Sequence, residues 1–90
     1  MDTTVVDMNT TEERMESALG TQLKIELAER GMSQADLANA VGIGRVAINK
    51  YIKGHVSITM GTFSKVAGAL GLSPDVLMSR VVARASREDQ

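Results

Sequence analysis

The sequence predicts an all-α fold of five helices, and three observations carry that expectation. Apolar residues recur at helical spacing, most plainly at Met15, Leu19, Leu23 and Leu27. No stretch alternates apolar and polar residues in the way a half-buried strand requires. Helix-start and helix-stop residues punctuate the chain at helix-length intervals, with Ser33, Thr59 and Ser73 opening segments and Gly31, Gly42, Gly54 and Gly71 closing them. A chain of 90 residues supports one core at most, and with one Phe, one Tyr and no Trp that core is aliphatic.

Taken in order, residues 1–10 show no periodicity and read as a flexible acidic arm. Thr10 and Glu13 have capping-box spacing, so the first helix is expected from Thr11 to about Arg30. Gly20 inside it costs about 1 kcal/mol relative to Ala, which marks either a close approach or a later helix start. Ser33 caps a second helix, supported by Asp36, that buries Leu37, Ala38 and Val41 and stops at Gly42. A third helix runs from Arg45 to Lys53 on Ile48, Tyr51 and Ile52. Thr59 caps a fourth, whose inward face is Met60, Phe63, Val66, Ala67 and Leu70. Ser73-Pro74-Asp75 opens a fifth, apolar along Val76, Leu77, Val81 and Val82. The domain is expected to span 11–83, followed by a polar tail over 84–90.

Composition removes several chemistries. Without cysteine there is neither a disulfide nor a thiolate metal site, and one histidine, His55, is too little for a metal centre. Neither paired carboxylates nor a Ser/His/Asp set is in evidence, so no catalytic residue, cofactor, metal or small-molecule ligand is expected. No apolar run approaches the roughly 20 residues of a membrane span, and no basic-then-apolar leader is present, which points to a cytoplasmic protein. The formal net charge of −1 conceals an uneven distribution. Residues 1–16 hold five acids against Arg14 alone, whereas residues 17–87 hold nine bases against four acids. A basic body sits behind an acidic head, and a basic body suits a phosphate backbone.

The most specific pattern lies between Ser33 and Gly54. Two short helices that cross steeply need a small residue where they touch, a glycine in the turn and apolar anchors on both. Ala38, Gly42 and the set Leu37, Val41, Ile43, Ile48 and Tyr51 meet those demands together. The stretch SQADLANAVGIGRVAINKYIKG resembles the helix-turn-helix of lambda-repressor-like regulators, the Cro/CI or XRE group, and MGTFSKVAGALGLSPDVLM resembles that family's fourth and fifth helices.

The resemblance implies a sequence-specific regulator of double-stranded DNA. It implies a homodimer on a palindromic operator, of phage or prophage Cro or repressor type, with no second domain for effector sensing. It places the third helix in the major groove, with Arg45, Val46, Asn49 and Lys50 at base edges. Arg45 or Lys50 suits guanine, Asn49 adenine and Val46 a thymine methyl. Gln34, Gly44, Lys53 and His55 are expected at phosphates, Gln34 also bracing the recognition helix. Leu72, Val76, Leu77 and Val81 are the expected dimer surface. Two departures stand out. An Arg–Glu pair frequent in the family corresponds to the apolar Leu27 and Ile52, and the loop after the third helix carries only His55, leaving Arg80, Arg84 and Arg87 to supplement phosphate affinity. A protein-interaction module of antitoxin or polymerase-binding type is the alternative, disfavoured by a recognition face that is polar and basic.

Overall fold

Two helix starts are set by side chains that take over unpaired amides. Ser33 Oγ accepts from the Asp36 amide at 3.0 Å while the Asp36 carboxylate accepts from the Ser33 amide at 2.9 Å, a reciprocal capping box. Thr59 Oγ1 accepts from the Thr62 amide at 3.1 Å. Pro74 occupies the first helical position of the last helix, where its missing N–H would have no partner in any case. The resulting order, in a computed structural model that describes residues 3–54 and 56–88, is α1 Thr3–Arg30, α2 Gln34–Val41, α3 Arg45–Lys53, α4 Met60–Ala69 and α5 Pro74–Glu88.

Long α1 is the spine. It packs against α3 on one side and α5 on another, while α2 joins α3 to α4 and α4 closes on α5. Leu23, Leu37, Ile48, Val66, Leu77 and Val81 are fully buried, one from each helix or more, so a single aliphatic core connects all five. Leu27 and Ile52 are buried with them, an apolar pair as the sequence suggested. Gly20 resolves in favour of close approach. A Cβ there would collide with the carbonyl oxygen of Ile52, so the end of α3 rests directly on the backbone of α1. The α2–α3 turn depends on Gly42, whose φ of 84° favours glycine and lets the Gly42 and Ile43 amides both reach the Ala38 carbonyl, at 2.8 and 3.1 Å.

Four expectations need correction. The backbone is helical from Thr3, so α1 opens eight residues before Thr11 and Thr10–Glu13 lies inside it rather than at its cap. At the other end α5 continues through Glu88, past residue 83 where the sequence ended the domain. Met60 is 68% exposed, because as the first residue of α4 it precedes the turn that meets the core. On α5 the buried stripe is Leu77 and Val81, spaced one turn apart, while Val76 and Val82 on either side are exposed.

A polar clasp fastens α5 to α1. Glu26 is completely buried and accepts from Arg80 Nη1 with both carboxylate oxygens, at 3.0 and 2.8 Å. Arg30 Nη1 donates to Glu26 Oε1 at 2.6 Å, Gln22 Nε2 to Oε2 at 2.8 Å, and Arg84 Nε to Gln22 Oε1 at 2.9 Å. Arg30 Nε also reaches the Leu70 carbonyl at 2.9 Å, tying in the end of α4. Burial pushes the Glu26 carboxyl up, but hydrogen bonds from Arg80, Gln22 and Arg30 and the charge of Arg80 outweigh it and hold it below its ordinary value.

Candidate nucleic-acid interface

The third helix has two unlike faces. Ile48 and Ile52 point into the core, and Arg45, Val46, Lys50 and Lys53 lie exposed on the other side. Burying the first pair fixes the helix against α1 and α2, so the second set is presented on a rigid mount. Its sequence, RVAINKYIK, carries three bases and no acid. Among the described residues neither Arg45 nor Lys50 has a hydrogen-bonding or ionic partner, so both charges are available to an incoming polyanion.

Asn49 is held from below. Its Nδ2 donates to Gln34 Oε1 at 3.1 Å, which joins the first residue of α2 to the middle of α3. Gln34, Arg45, Val46 and Asn49 together line a shallow recess on this face. Val46 is 71% exposed, the most exposed large apolar residue among those whose side chains are described, and it stands among polar groups. That is a poor arrangement for stability and a good one for a thymine methyl beside hydrogen-bonding base edges.

At the start of α3, Gly44 is the N-cap, with φ −72° and ψ 152°, and it has no side chain to satisfy the first amides of the helix. Those amides and the positive end of the helix dipole are disposed to receive a phosphate. Lys53 is exposed at the opposite end of the helix. The structure therefore brings Gln34, Gly44, Arg45, Val46, Asn49, Lys50 and Lys53 to the α2–α3 side of the molecule. His55 lies outside the described residues.

Two other sets do not gather as the sequence suggested. Leu77 and Val81 are sealed in the core, at 0% and 2% exposure, so they cannot form a dimer surface; of that set only Val76 is exposed and Leu72 half-buried. Arg80 and Arg84 are engaged with Glu26 and Gln22 instead of being held for phosphate. Sequence reasoning missed that clasp because its partners lie 54 and 62 residues apart.

A family model described as Helix-turn-helix matches residues 23–77, more than half of the chain. The chain belongs to that helix-turn-helix family, of the Cro/CI or XRE type. Neither the curated proteins nor the solved structures yield a match. The matched residues run from Leu23 in α1 to Leu77 in α5, so they include all of α2, α3 and α4. Membership makes this a DNA-binding transcriptional regulator in general terms, and the α2–α3 pair is the helix-turn-helix. No single helix among the described residues is long and apolar enough to cross a membrane.

Proposed function

We propose that this helix-turn-helix protein is a sequence-specific repressor of the phage or prophage Cro type, acting as a homodimer on a two-fold-symmetric operator in a bacterial cytoplasm. Repression follows from occupancy, with the bound dimer covering promoter sequence. In this reading α3 lies in the major groove. Arg45 or Lys50 hydrogen-bonds guanine O6 and N7, Asn49 pairs with adenine N6 and N7, and Val46 packs on a thymine methyl. Gln34, the amides after Gly44, Lys53 and His55 meet phosphates and set the register.

The observation that supports this most is the exposed face of α3, where basic, amide and apolar side chains stand together without acidic partners. The Gln34–Asn49 hydrogen bond adds to it, because an amide already oriented loses less freedom on meeting a base. Selection of bound duplexes from a random pool tests the proposal. A palindromic consensus with half-sites about one helical turn apart is expected. Failure to enrich any sequence would sink it.

A further inference from the structure

The clasp between α1 and α5 leaves hydrogen-bond donors to spare. Beside it lies an open cleft of about 440 Å³, within the roughly 300–1,000 Å³ usual for a small-molecule pocket. Arg80, Arg84 and Arg87 line its α5 side, four and three positions apart and therefore on one helical face. Arg80 gives Nη1 to Glu26 and keeps Nε and Nη2, while Arg84 gives Nε to Gln22 and keeps both Nη groups. Among the described residues nothing accepts from those remaining nitrogens, nor from Arg87, which is exposed. Glu26 is already shared by Arg80 and Arg30. That leaves Arg84 and Arg87 in the cleft against one further acid, Glu29 on the α1 wall.

We infer that this cleft binds a small free oxyanion, bearing phosphate or carboxylate groups, between Arg84, Arg87 and the outer edge of Arg80. A planar guanidinium matches either group with two parallel hydrogen bonds. Arg84 is oriented in advance, because the Gln22 oxygen that accepts its Nε belongs to an amide that itself donates to Glu26. A donor held in this way loses less freedom when an anion arrives. Exposed Glu29 opposes a long run of DNA phosphates more than one compact anion at the α5 edge. Neither α2 nor α3 supplies any of the lining, so such an anion and a duplex on α3 use separate surfaces.

Occupancy acts on the fold. The arginines that hold the anion are tied to Glu26 and Gln22 of α1, so a bound anion reinforces the contact between α1 and α5. The folded chain is then stabilised by mass action.

Calorimetric titration of the full chain with inorganic phosphate and, separately, with citrate tests this, at an ionic strength held constant with sodium chloride. One saturable site per chain is expected for at least one of the two anions, with a melting temperature that rises as the site fills. Whichever anion binds more tightly names the headgroup. Arg84→Lys and Arg87→Ala should each weaken binding about tenfold, through loss of a charge-assisted hydrogen bond. Arg87 has no partner among the described residues, so Arg87→Ala should melt like the wild type when no anion is present. Glu29→Gln should tighten binding about twofold to fivefold, a sign that mere damage to the fold does not produce. Arg45→Ala combined with Lys50→Ala, on α3, should leave it unchanged. Absence of a saturable site for both anions overturns the inference. So does binding that is lost with the α3 variant and kept by the α5 variants. Release of the bound anion by an added duplex also overturns it, since the cleft is then a contact for DNA phosphate.

Discussion

Two groups of basic residues on this small protein have opposite fates. On the α1–α5 side, Arg30, Arg80 and Arg84 turn inward to Glu26 and Gln22 and hold two helices together. On the α3 side, Arg45 and Lys50 face solvent with no partner among the described residues. Both groups look alike as letters in the chain. The difference is whether a buried acceptor waits opposite. An arginine with such an acceptor serves the fold, and one without it is open to a polyanion. A surplus of positive charge therefore overstates the surface that DNA can use.

Substitutions can break that contrast or sharpen it. The largest effect is expected from Glu26→Ala, which leaves Arg30, Arg80 and Gln22 without their shared acceptor and should cost about 3 kcal/mol of stability. Denaturant unfolding measures it, and the folded fraction should still select the same operator. A change of operator preference without loss of stability would erase the distinction between the two groups. Next in size, Arg45→Ala and Lys50→Ala should each cost about 1–3 kcal/mol of specific binding while leaving the melting temperature in place. Equilibrium binding to matched and mismatched duplexes checks this; undiminished discrimination by both variants would remove α3 from base recognition.

Acid should act on the clasp alone. Because the Glu26 carboxyl lies below its ordinary value near 4.5, its contribution is present above that pH and is lost as pH falls through the lower folded value. Glu26→Gln should flatten that part of the acid limb in a stability profile, and an unchanged limb would count against the clasp as its source. The smallest effect is expected from Lys53→Ala. It should weaken matched and unmatched DNA alike and reduce the salt slope of binding by about one.

Much of this architecture is legible in the sequence because local rules decide it. Ser33 with Asp36, Thr59 and Pro74 place three helix starts, and Gly42 places the turn between α2 and α3. The exposed face of α3 follows from the same spacing, since burying Ile48 and Ile52 leaves Arg45, Val46 and Lys50 outside. The misses have a common cause in tertiary structure. Gln22, Glu26 and Arg30 recur at four-residue intervals, a spacing that names no partner outside the helix, and only α5 makes that ladder an interior one. Val76-Leu77-Met78 and Val81-Val82 are adjacent apolar residues, so spacing leaves the phase of α5 open. The packing against α1 and α4 selects Leu77 and Val81, which takes them out of the surface expected of them.

The bare backbone at Gly20 has a consequence for how such a protein changes its target. Because the end of α3 sits on main chain rather than on a side chain, the seat of the reading head is indifferent to which residues occupy its outer rim. On the proposed reading of α3, the exposed Arg45, Val46 and Lys50 can be exchanged like type in a fixed holder, whereas any residue larger than glycine at position 20 would tilt the holder itself. If α3 reads the operator as proposed, divergence to new operators is channelled to the outward positions of one short helix, and the seat beneath them has to stay as it is.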